Sequence, residues 1–153
     1  MISKVLVPID FSEYSKNAFK YSVDFVKLFD AELFLIYVVE PIIYPADFSL
    51  GQVAIPSIDI DMQKKAEDEL NSLAKQFIKN NLRYKVVIKT GKPFVEINEF
   101  AREQDIDMII MATHGHTGVE HLLFGSTAEK VVRKAPCPVL TLREPIKGFY
   151  YKN

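Results

Sequence analysis

Five stretches of this chain are apolar at consecutive positions rather than at every second one, and no other feature narrows the possible folds as much. Residues Ile2 to Ile9 contain VLVPI, residues 31–39 read AELFLIYVV, and shorter runs follow at 84–90 (YKVVIKT), 107–113 (DMIIMAT) and 137–143 (CPVLTLR). Successive side chains of a strand point to opposite faces, so a strand with no polar side must be covered on both. Such strands belong to parallel sheets sandwiched between helices.

The intervening segments have helical spacing. Tyr14, Ala18, Tyr21, Phe25 and Phe29 step by 4, 3, 4 and 4, with Ser12 placed to cap them. Met62, Ala66, Leu70, Leu73 and Phe77 step by 4, 4, 3 and 4 and end near Asn80-Asn81. A third helix is predicted from Pro93 to Gln104, with Pro93 in its first turn after Gly91. A fourth opens at Ser126, where S-T-A-E gives Ser126 and Glu129 the spacing of a capping box. Strands and helices in this order predict right-handed crossovers and one α/β domain. Its architecture is a single doubly wound, open, parallel five-stranded sheet of order 3-2-1-4-5 with helices on both faces. Residues 40–60 hold three prolines and one glycine and exceed a standard strand-to-helix connection, a length typical of lids and binding loops.

A chain of 153 residues with 48% hydrophobic content can bury roughly 68–70% of its unfolded surface in one core. The net charge of −1, from 19 basic and 20 acidic residues, provides no global field to hold a nucleic acid. Cys137 is the single cysteine, which excludes an internal disulfide or multi-cysteine zinc site and suits a reducing, cytosolic compartment. The opening MISKVLVPID has too short an apolar run for a signal peptide, and no run approaches the roughly 18 residues of a membrane span.

In an open α/β sheet a ligand sits at the carboxyl ends of the strands where strand order reverses, here between strands 1 and 4. The loops concerned are PIDFS and ATHGHTGVEHLLFGS; the eighteen residues from Thr113 to Lys130 contain three glycines and all three histidines. Gly125-Ser126-Thr127 at a helix start offers backbone N–H groups, two hydroxyls and a positive dipole end to an anion, or else simply caps its own helix. The loop is not a Walker A site, because Ser126 stands where lysine is required, and it lacks G-x-G-x-x-G and G-x-S-x-G. His114 and His116 without a third ligand read as polar loop residues rather than a metal site. Asp10, ending strand 1, is placed to accept from ribose hydroxyls or an adenine edge, or to cap the first helix. No lysine clamp, arginine finger or positioned base emerges, so no catalytic residue is assigned.

KVLVPIDFSEYSKNAF near the start and MATHGHTGVEHLLFGSTAEKVVRKAPCPVLTLR near the end closely resemble the universal stress protein (UspA-type) family across residues 2 to about 143. The resemblance implies an adenine nucleotide alpha hydrolase-like fold over residues 2–143 and leaves 144–153 as a tail. In ATP-binding members the pattern G-x2-G-x9-G-[ST] follows strand 4; here Gly115 and Gly125-Ser126 keep its spacing, and Ala112 replaces the first glycine. The resemblance implies that Pro8, Ile9 and Asp10 line the adenosine and that Val38 packs on adenine. Met111 and Ala112 would flank the base and ribose, Gly115 would let backbone reach the phosphates, and Gly125, Ser126 and Thr127 would hold their far end. It further implies ATP, with Mg²⁺ or Mn²⁺ among the phosphates, and a homodimer through the last strand at 138–143, with Phe149, Tyr150 and Tyr151 placed to pack across it. The function so implied is a cytosolic, nucleotide-dependent stress-response module. Alternatives are a nucleotide-free interaction protein, prompted by Ala112, and a slow ATPase or nucleotidyl transferase, prompted by His114-Gly115-His116.

Overall fold

The computed structural model describes residues 1–41, 56–79, 82–114 and 125–143. Five strands form one parallel sheet: β1 (Lys4–Pro8), β2 (Glu32–Val39), β3 (Tyr84–Thr90), β4 (Met108–Ala112) and β5 (Val139–Leu142). Their order is β3-β2-β1-β4-β5, and every neighbouring pair runs parallel. The strand order agrees with the one expected from the alternation of apolar runs and helical segments.

The helices are α1 (Glu13–Phe29), α2 (Pro56–Phe77), α3 (Pro93–Glu103) and α4 (Ser126–Lys134). The α1 cap is Ser12, whose Oγ accepts from the Ser15 N–H at 3.2 Å. The helix ends where Asp30 turns left-handed at φ 50° and its N–H donates to the Val26 carbonyl. Proline stands at the first position of both α2 and α3, where the missing N–H costs no helical bond. Helix α2 therefore starts at Pro56, earlier than the apolar spacing from Met62 suggested, and takes up the end of the predicted 40–60 loop. Residues 42–55 and the 144–153 tail lie outside the described residues, as do Asn80 and Asn81. Among the described residues no helix is long and apolar enough to cross a membrane.

Consecutive apolar positions have their predicted meaning in β1. Val5 and Val7 face a core built with Phe19, Val23 and Val26 of α1 and Leu70 and Leu73 of α2. Leu6, between them, faces the opposite core with Ile97 and Phe100 of α3 and Val131 of α4. Val5, Leu6 and Val7 are all fully buried.

At the amino edge of the sheet, Asp107 ties the start of β4 to the start of β1. Its Oδ2 accepts from the Ser3 N–H at 2.8 Å, the Ser3 Oγ at 2.8 Å and the Lys4 N–H at 2.9 Å. The Ser3 backbone bond, then the Ser3 hydroxyl and the Lys4 N–H, hold this carboxyl below the usual aspartate range. A depressed carboxyl adds stability above its unfolded pKa and loses it as pH falls through the folded value. Asp107→Asn is expected to cost on the order of 1 kcal/mol at pH 7, discounted for exposure. The gap from wild type should close below about pH 4, which urea unfolding at several pH values would measure.

Candidate functional site: a cleft at the carboxyl edge

The reversal of strand order falls between β1 and β4, and a cleft of about 380 Å³ opens there. Pro8, Ile9 and Asp10 line it from the end of β1, Val38 from β2, and Met111 and Ala112 from β4. Gly125, Ser126 and Thr127 line it from the start of α4. Nine of the ten expected binding residues thus share one cleft; Gly115, with Gly118, His116 and His121, lies outside the described residues.

The floor between β1 and α1 is a tight polar turn. Phe11 takes the left-handed conformation at φ 63°, uncommon for a bulky residue, and its ring lies 4.8 Å from that of Tyr37. That turn lets Asp10 Oδ1 accept from the Ser12 N–H at 3.0 Å and the Ser12 Oγ at 2.5 Å. The Asp10 N–H donates to Ser15 Oγ at 3.3 Å. Asp10 therefore braces the α1 cap and lines the cleft at once.

At α4 the expected capping box is not formed, because Gly125, not Ser126, is the N-cap. The Glu129 N–H donates to the Gly125 carbonyl at 3.0 Å, and the Glu129 carboxylate pairs with Arg133 at 3.1 Å. Ser126 and Thr127 are the first two helical residues, so their amides and that of Ala128 have no intrahelical partner. The Gly125 amide is committed elsewhere: it donates to the Thr113 carbonyl at 2.7 Å, pinning the helix start to the end of β4. The Gly125 backbone, at φ −68°, is open to any residue, and a Cβ here would lie 3.4 Å from the Thr113 oxygen, in ordinary van der Waals contact. Ala112 is a strand residue paired with Leu142 and has no left-handed backbone, so replacing glycine there adds one methyl and no strain.

Several lining residues were not among the ten expected. Thr113 and His114 line the cleft, with Thr113 Oγ1 2.9 Å from His114 Nδ1 and the His114 ring 5.8 Å from that of Tyr14. Tyr37, Glu40 and Met62 form the far wall. Burial, then Glu69, Asp10 and Glu40, push the Tyr37 phenol above its usual range. Among the described residues no three His, Cys, Asp or Glu side chains converge to hold a metal. A hard divalent cation would fit this donor set only by sharing phosphate oxygens and water.

The universal stress protein family model matches residues 1–143. The chain belongs to the universal stress protein family. It is 33% identical to universal stress protein MJ0531 of Methanocaldococcus jannaschii, over 96% of this chain and 85% of that protein. It is 32% identical to universal stress protein MJ0577 of the same organism, over 94% of this chain and 96% of that one. The solved structure of MJ0577 superposes with a TM-score of 0.81 over 96% of this chain and 99% of its own. The universal stress protein of Archaeoglobus fulgidus in complex with dAMP shares the fold at a TM-score of 0.62, with 19% identity, covering 92% of this chain and 98% of that one.

In this member of the family the Asp10–Ser12–Ser15 turn holds the cleft floor. Ser12→Ala should cost about 1 kcal/mol through the lost helix cap, a fall of roughly 2–4 °C in melting temperature for a domain of this size. Ser12→Thr, which keeps the accepting oxygen, should restore most of it; thermal unfolding of both variants provides the test.

Proposed function

We propose that the cleft binds an adenine nucleotide, ATP in the cell, and that the chain works as a cytosolic, homodimeric stress-response module. Bound nucleotide would alter the surrounding loops and so the partners available. The observation that carries this reading is the meeting of Asp10 with the start of α4 in one cleft beside Val38 and Met111. Apolar walls from Ile9, Val38 and Met111 suit a flat base, Asp10 suits ribose hydroxyls, and the Ser126, Thr127 and Ala128 amides suit a phosphate. Gly115 belongs to the same proposal through its motif position. Residues 2–143 are the stress-protein domain of this reading, with 144–153 as a tail. A divalent ion carried among the phosphates would supply charge neutralisation.

Ligand linkage at a hundredfold excess over Kd stabilises by about 2.7 kcal/mol, or roughly 5–10 °C in melting temperature here. Mg-ATP is expected to give such a shift in the wild type and none in Gly125→Asp, where a carboxylate meets the phosphates. No shift at millimolar ATP would support the nucleotide-free interaction protein instead.

The dimer rests on β5, an edge strand paired among the described residues only with β4 and carrying half-exposed Val139, Leu140 and Leu142. The Pro138 and Leu142 carbonyls accept from Ile109 and Thr113 on the β4 side. By strand alternation Val139 and Thr141 turn their backbone groups to the open edge, where a second copy can pair. Thr141→Pro removes one outward N–H and spares the β4 ladder. Sedimentation should then show a dimer for the wild type and a monomer for this variant.

A further inference from the structure

The cleft that this reading gives to a nucleotide is lined by charge of one sign. Asp10 and Glu40 are its acidic lining residues, and no lysine or arginine lines it among the described residues. Burial raises the phenol of the lining residue Tyr37, and Glu69, Asp10 and Glu40 add to that rise. Along the chain, residues 8–15, 40–62 and 108–129, which include most of the lining residues, contain no lysine or arginine. Of the cations nearest to lining residues in sequence, Lys16 pairs with Glu13 at 3.0 Å, Lys64 and Lys92 are exposed, and the Lys130 ammonium lies 5.0 Å from the centroid of the Phe94 ring. None of these four lines the cleft.

The positive end of α4 is worth about half an elementary charge. That suits a single phosphate group, whose charge is at most about −2 near neutral pH. A free triphosphate brings roughly twice that charge toward Asp10 and Glu40 with no basic side chain of the cleft to meet it. We propose that this cleft discriminates among adenine nucleotides by charge, taking AMP as the free anion and ATP only as its metal complex, with Glu40 a specificity-determining residue. The inference rests on the nucleotide reading above and sharpens it: the chain supplies shape and amides, and the counter-charge travels with the ligand.

The test is isothermal titration of the full chain with AMP, ADP and ATP at low, matched ionic strength, in EDTA and then in excess MgCl₂. In EDTA the affinity should fall from AMP to ATP by roughly tenfold, and Mg²⁺ should remove most of that gap by strengthening ATP. Glu40→Gln should narrow the EDTA gap by about threefold, and added salt should narrow it further as the carboxylates are screened. ATP binding in EDTA as tightly as AMP would overturn the charge discrimination while leaving the nucleotide site standing. A gap unchanged in Glu40→Gln would overturn the role of Glu40. Failure of all three nucleotides to bind in either buffer would remove the nucleotide site itself, and the discrimination with it.

Discussion

Burial of β1 on both faces and both edges is the constraint from which the rest of the molecule follows. Val5, Leu6 and Val7 alternate between two cores, so helices must lie on both sides of the sheet. With β2 on one edge and β4 on the other, β1 becomes the strand at which the winding reverses. Chains leaving β1 and β4 then diverge to opposite faces, and the gap between them is the cleft. The site is thus a by-product of covering one very apolar strand, and its position needs no special residue.

Its chemistry does need special residues, and they are few. One backbone bond, from the Gly125 amide to the Thr113 carbonyl, docks the start of α4 against the end of β4. The next three amides, at the first turn of α4, stand at the cleft as a consequence. On the facing side the left-handed turn at Phe11 bends the chain so that Asp10 can brace Ser12 while still lining the cleft. Donors of the backbone and carboxylates of the side chains therefore face the same space. On the nucleotide reading, a cleft built that way would meet an anion with backbone donors and oppose it with carboxylates, so that the ligand's own charge state matters.

Much of this was legible in the residues. Unbroken apolar runs mark strands that are covered twice, and the steps of three and four mark the helix faces between them. Asp10 and Gly125-Ser126-Thr127 stand out as polar or small residues at the junctions that the topology brings together. Capping chemistry was less legible: S-T-A-E spells a capping box, yet Glu129 pairs with Arg133 and Gly125 takes the cap. The start of α2 at Pro56 was hidden because a proline-rich stretch reads as a loop until the helix behind it is known to extend that far. Tyr37, Glu40, Met62 and Thr113 gave no local signal, since each is an ordinary residue until a distant segment is placed beside it.

The sequence by itself determined the fold class and marked the two loops that bound the cleft, because periodicity and chain order are local properties that sum along the chain. Only the tertiary structure decided which donors remain for a ligand. The Gly125 amide is taken by Thr113, the Asp10 carboxylate is shared with Ser12, and Ala112 sits in an extended strand where no glycine is required. The physical reason is that a hydrogen-bonding group is committed or available according to what approaches it in space, and approach between residues a hundred positions apart is not written in either neighbourhood.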